Sequence, residues 1–147
     1  MATSTMAAIK ANLKALIVAD AAFAGVQVTY GDAGDTARRE RVWLGATEIG
    51  GSEIPAFRSG KQRRRESYTL HVWVEVIGSG QTPEEVEARA VALASAVEDI
   101  IATDPKVDST PNLLFARCEG IELDTTETLD GPRSVVDVSI YVEGDLL

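Results

Sequence analysis

The chain has one cysteine, one histidine and only 5% aromatic residues in 147 positions. A lone Cys118 excludes an intrachain disulfide and a zinc site built on cysteines, and it suits a reducing compartment. A lone His71 leaves a serine or cysteine nucleophile a single candidate base, and this histidine lies in an alternating stretch beside Trp73, away from any nucleophile elbow. With few aromatics, aliphatic side chains must fill the core. No run approaches the roughly 20 apolar residues that span a bilayer. The opening "MATSTMAAIKANLKALIVAD" lacks a basic segment followed by an unbroken apolar core, so a soluble, intracellular product is expected.

Positive charge is also scarce. Fourteen Lys and Arg stand against 23 Asp and Glu, a net charge of -9. That overall field repels polyanions, whereas a dedicated nucleic-acid binder is usually basic. Yet five of the fourteen, Arg58, Lys61, Arg63, Arg64 and Arg65, crowd into eight positions with no acid among them. Without them nine basic residues face 23 acidic ones, leaving the rest of the chain at -14. Three readings fit such a patch: a solvated segment whose arginines keep an edge strand from pairing indiscriminately, an electrostatic interface with an acidic face of another subunit or partner, or sequence-independent attraction to DNA phosphates. The second and third are compatible.

What is present fits one domain. A chain of 147 residues with 45% hydrophobic and 25% charged composition is that of an ordinary globular protein. A domain of this size buries roughly two-thirds of the surface its unfolded chain exposes. Met6, Ile9, Leu13, Leu16 and Ile17 fall on one helical stripe, with Ser4 or Thr5 available as N-cap and an end near Asp20. Val26 to Tyr30 reads as a short strand, "GDAGD" as a turn, and Glu40 to Gly45 as the strand returning from it in a hairpin. Gly50 to Lys61, with its glycines and Pro55, reads as a loop that delivers the basic patch to the next strand. In that strand, Ser67 to Ile77, Tyr68, Leu70, Val72, Val74 and Val76 share one face and Thr69, His71, Trp73 and Glu75 the other.

A second helix opens at Thr82, with Pro83 in its first turn and Glu85 completing a capping box, and ends at Asp104-Pro105. Its apolar stripe is Val86, Ala90, Leu93, Ala94, Val97, Ile100 and Ile101. Leu113 to Leu123 and Ser134 to Glu143 read as strands about an Asp130-Gly131 turn. The order α-β-β-β-α-β-β, with hairpins where a parallel sheet would need crossover helices, predicts a single-domain α+β fold: an antiparallel sheet with two helices packed on one face.

No constellation points to catalysis, a cofactor or a metal. Cys118, inside an apolar strand, reads as a small core residue, because no neighbouring motif would lower its pKa. Glu84, Glu85 and Glu87 sit where a helix N-terminus favours acids, and Glu85 is spaced to pair with Arg89. Asp32 and Asp35 lack the ligand spacing and terminal glutamate of a calcium loop and read as turn residues. "SGKQR" lacks the upstream glycine of a phosphate loop, and "GSGQ" is a lone Gly-x-Gly.

Taken in order over nearly the whole chain, "VQVTYGDAGD", "ERVWLG", "RRRESYTLHVWVEV" and "TPEEVEARAVALASAVEDIIATDP" resemble tail terminator proteins of long-tailed bacteriophages, especially those of actinobacteria. The resemblance implies a non-enzymatic virion protein, assembled in the host cytoplasm. It would form a ring, typically a hexamer, on the head-proximal end of the tail tube, stop tube polymerisation and present a surface to the head connector. Its partners would be copies of itself, the tail tube protein and the head–tail connector protein, with possible non-specific contact to passing DNA and none to a membrane.

Carried onto this chain, the basic loop at about 50–66 would project toward the lumen or an axial end. There Arg58, Lys61 and Arg63 would meet DNA or the last tube ring, while Arg64, Arg65 and Glu66 would make subunit contacts. Two other readings stay open: a head–tail connector or neck ring protein, and a small-molecule binding module with a cavity lined by His71, Trp73 and Tyr141.

Overall fold

A computed structural model describes residues 4–32, 34, 38–45, 48–58 and 61–146, with 48–58 and 61–63 described by their backbone. Helix α1, Met6–Ala19, buries Ile9, Leu13 and Ile17 as its stripe requires, with Met6 and Leu16 packed at its margin. Its N-terminus is satisfied from a distance. The Thr5 side chain makes no capping bond to the helix; instead Glu66 Oε1, from a strand 61 residues along the chain, accepts from Thr5 N at 2.6 Å and Thr5 Oγ1 at 2.7 Å. Ser4 Oγ accepts from Met6 N at 3.1 Å. A carboxylate at this end also complements the helix dipole. Thr5 Oγ1 further bonds Tyr68 OH at 2.7 Å, and burial pushes the Tyr68 phenol up to about 12.

After α1, Asp20 Oδ1 accepts from Ala22 N at 2.9 Å and starts a short turn of 3-10 helix, Ala21–Phe23, that buries Phe23. Strands β1, Gln27–Thr29, and β2, Glu40–Leu44, then pair in parallel, with Val28 opposite Val42. The expected hairpin is therefore wrong in sense. The ten residues between the strands exceed a tight turn and are long enough for the chain to run back and enter β2 from the same end. Asp32 does act as a turn residue, its Oδ1 accepting from Gly34 N at 2.8 Å, whereas Asp35 lies outside the described residues.

The larger correction concerns the expected loop. Glu48–Arg58 is a strand, β3, and β4 begins at Lys61 rather than Ser67 and runs to Ile77. The two form an antiparallel hairpin with Arg58 opposite Lys61, and the pairing shifts register between Ile49 and Gly51 and again between Glu53 and Ala56. Those irregularities fall on the glycines and Pro55, the residues that argue for a loop. A long partner strand tolerates them as bulges at an edge. With this one addition the expected elements occur in the expected order.

Helix α2, Pro83–Thr103, starts as predicted: Thr82 Oγ1 accepts from Glu85 N at 3.2 Å and Pro83 occupies the first turn. Arg89, spaced to pair with Glu85, donates to Glu40 of β2 and so ties the helix to the sheet. The chain leaves α2 through Val107, Asp108 and Ser109, all in the left-handed region at φ 45, 55 and 53°. This conformation is costly for the β-branched Val107, which is fully buried there. Strands β5, Leu113–Thr128, and β6, Gly131–Leu146, close the fold as a long hairpin.

The sheet runs β1-β2-β4-β6-β5, with β3 beside β2 on the same flank of β4. Among the described residues only the β1–β2 pair is parallel. Tyr68, Leu70, Val72, Val74 and Val76 of β4 and Val136, Val138, Ile140 and Val142 of β6 face both helices and are at most 3% exposed. Each such side chain contributes about 1.5–3 kcal/mol on burial.

At the β5–β6 turn Gly131 has φ +115°, and a Cβ there would lie 2.6 Å from the Gly78 carbonyl oxygen. Both the dihedral and the rigid neighbour oppose a side chain. Gly131→Ala should therefore lower unfolding free energy by about 1–3 kcal/mol in urea titration; a loss below a few tenths would contradict the turn geometry.

Candidate subunit interface

The sequence nominates the basic stretch, and the fold makes it the end of the β3–β4 hairpin. Register sets Arg58 against Lys61, Ala56 against Arg63 and Glu53 against Arg65, while on its other flank β4 pairs Arg64 with Leu146 and Arg65 with Asp145 of β6. Positions 61–63 thus extend beyond the last β6 pairing, held by β3. Arg65 is exposed and Arg64 half-buried. Glu66 is only 6% exposed, consumed by its bonds to Thr5, so it anchors the root of the hairpin to α1. Of the six nominated residues, five form one cationic hairpin end and the sixth is internal.

The sheet face opposite the helices carries a polar and aromatic array that sequence reasoning did not assemble. Glu75 is 1% exposed, yet its Oε1 accepts from Arg41 Nη2 at 2.6 Å and its Oε2 from Arg133 Nη2 at 2.6 Å. Two guanidiniums on β2 and β6 thus clamp one carboxylate on the strand between them. Beside it Trp43 and Trp73 stack at 6.4 Å, Arg41 lies over Trp43 at 5.2 Å, and His71 stacks on Trp73 at 6.0 Å. His71 Nδ1 bonds Asp137 Oδ1 at 2.9 Å, which orients the ring. Further along, Tyr141 lies beside Phe115 at 5.9 Å and beneath Arg117 at 4.9 Å, and donates to Glu143 Oε1 at 3.1 Å. Its phenol is raised, first by burial and then by Glu143.

The signal for Glu75 was present in part. It interrupts an otherwise neutral strand face, but its partners Arg41 and Arg133 lie 34 and 58 residues away and become neighbours only through register. His71, Trp73 and Tyr141 all lie on this face. A surface depression of about 430 Å³ takes in Trp73 with Glu122, Leu123, Asp124, Arg133, Val135 and Asp137, and includes neither His71 nor Tyr141. Among the described residues no group of three His, Cys, Asp or Glu is placed to hold a metal ion.

The opposite flank of the sheet is acidic. From Glu119 to Thr128, β5 carries Glu119, Glu122, Asp124 and Glu127 and no base. Nearly all of this stretch is exposed, including Ile121 at 42% and Leu123 at 41%. Among the described residues β5 pairs only with β6; at its start Ala116 N donates to the Pro105 carbonyl, and from Glu119 to Thr128 its outer edge has no strand beside it. Cys118 sits at the start of this stretch, half-buried, and its thiol is pushed up to about 11 by burial and then by Glu98.

No family model and no curated protein matches the chain. Among solved structures, a chain described as "Virion of native gene transfer agent (GTA) particle" has the same fold, with a TM-score of 0.61 at 16% identity over 98% of this chain and 99% of that one.

Two outcomes follow from this geometry. Glu75→Ala leaves two guanidiniums facing each other without their carboxylate and should destabilise the fold by about 2–4 kcal/mol, whereas exposed Glu122→Ala should change it by less than about 0.5 kcal/mol; equal effects in thermal melts would refute the clamp. With its thiol near 11, Cys118 should alkylate at pH 8 at least about tenfold more slowly in the native protein than in urea, and the native rate should climb as pH approaches 11. Native labelling as fast as unfolded labelling would show the thiol to be open and ordinary.

Proposed function

We propose that the chain is a structural protein of a phage-like virion, forming a ring on the head-proximal end of the tail tube that ends tube growth and presents the head-joining surface. The observation that carries this reading is the end-to-end fold correspondence with a chain of a gene transfer agent virion, in which neither chain has a large unmatched segment. The arrangement of charge and sheet edges supports it. A basic hairpin lies on one flank of the sheet and an acidic free edge on the other, so each copy offers two different surfaces, the requirement of a closed heterologous ring.

In this mechanism binding geometry alone stops growth. One face of the ring complements the growing end of the tube, and the opposite face omits what another tube subunit would need to dock, so the template is lost. Arg58, Lys61 and Arg63, at the hairpin end, face the last tube ring or passing DNA. Arg64 and Arg65 lie nearer the subunit boundary. Glu66 acts indirectly by fixing the root of the hairpin to α1. Copies gather on the tube end, where the effective concentration is high.

Electron microscopy of particles made without this protein tests the assignment. Overlong tails, or tails never joined to heads, are expected. Tails of normal length beside filled heads that leak DNA would assign the protein to the neck as a connector, and intact infectious particles would remove it from assembly altogether.

A further inference from the structure

We propose that copies of this chain join head to tail by pairing the free edge of β5 in one copy with the free edge of β3, in the basic hairpin, of the next. The contact deepens the ring reading above and rests on it for closure of the linked copies into a ring.

The argument begins with topology. Among the described residues the strand pairing of β5 is with β6 alone and that of β3 with β4 alone, and these two strands lie on opposite flanks of one sheet. Joining them continues the sheet from copy to copy and leaves the same two edges free at the ends, which is the heterologous geometry that closes into a ring or extends as a filament. The lengths match: the exposed ten-residue stretch Glu119–Thr128 and the 11-residue β3 each span about 35 Å at the usual strand rise.

Charge then selects this pairing over its rivals. Two β5 edges meeting would oppose Glu119, Glu122, Asp124 and Glu127 to their own kind, and two β3–β4 hairpins, each with Glu48 and Glu53 beside five bases, would oppose one net positive charge to another. β5 against the hairpin sets four acids against a net positive charge, with Arg58 on β3 itself and four bases on β4 one strand behind, where Arg65 already stands opposite Glu53. Ile121 and Leu123, each about two-fifths exposed on an edge strand, supply apolar surface that a lone protomer leaves in water and a neighbouring strand covers. Pro55 has no N–H to donate, so the new ladder forms on the two sides of it, where β3 also shifts register against β4.

Two charge-reversed variants test the contact, E119K/E122K/D124K/E127K on the edge, which turns its four acids into four bases, and R58E/K61E/R63E/R65E on the hairpin, which leaves Arg64 as its one base. Each alone has two like-charged surfaces, whereas a mixture offers complementary charges at every junction. By sedimentation, each variant alone should associate at least tenfold more weakly than wild type, and an equimolar mixture should regain the wild-type assembled mass. Rescue by mixing also shows that both variants are folded. About 1 M salt should weaken wild-type association at least tenfold.

Variants that assemble alone as well as wild type overturn the contact, as does a mixture that stays monomeric, or wild type that is monomeric up to about 1 mM. The two readings fail separately. Variants that assemble alone, together with overlong tails in particles lacking the protein, leave the tail role standing without this contact. Rescue by mixing, together with normal tails, leaves the contact standing without that role.

Discussion

One strand has to satisfy three partners and two environments at once. β4 pairs with β6 along most of its length, with β2 over its last residues and with β3 over its first, while alternate side chains enter opposite faces of the sheet. A slip of one residue would drive His71 and Glu75 into the core beneath the helices and turn Leu70, Val72 and Val74 outward. Burial of the even positions therefore fixes the register, and the register places everything else. It sets Glu66 at the N-terminus of α1, holds Glu75 between Arg41 and Arg133, and sends Lys61 to Arg63 past the end of β6.

Glu66 and Glu75 show how a buried charge is tolerated in such a frame. Neither is isolated. Glu66 accepts from a backbone N–H and two hydroxyls, and Glu75 from two guanidiniums that keep partial contact with water. Their value lies in position as much as in energy, since a well-paired buried ion gains little over an apolar replacement but is expensive to break. The first holds helix to strand; the second holds β2, β4 and β6 in line on the face that no helix covers.

What could be read from the sequence follows from how local each signal is. Helix α2 was legible because its cap, its proline, its apolar period and its terminating Asp104-Pro105 lie within one continuous stretch. The inward face of β4 was legible because five alternating apolar residues admit one reading. The sense of β1 against β2 was not, because a ten-residue connection permits either direction and only packing decides. β3 was hidden by its own glycines and proline, whose preference for loops is overridden by a long partner strand. The cationic patch was visible as composition, but its form as a hairpin end depended on β3 pairing with β4, and the internal use of Glu66 on a contact 61 residues away.

A net charge of -9 would oppose the self-association proposed above, and the distribution of that charge decides whether copies can meet. At physiological salt the screening length is about 8 Å. Repulsion between the bulk of two copies, with charges spread over a whole domain, is largely screened, whereas side chains that meet across paired strands lie well inside that distance. Local complementarity therefore outweighs net charge at contact. In the proposed contact, electrostatics would set which edges meet, and backbone pairing with the cover of Ile121 and Leu123 would supply persistence once they have met. In the proposed contact copies associate through these edges in free solution, and a tube end that aligned them would raise their effective concentration further.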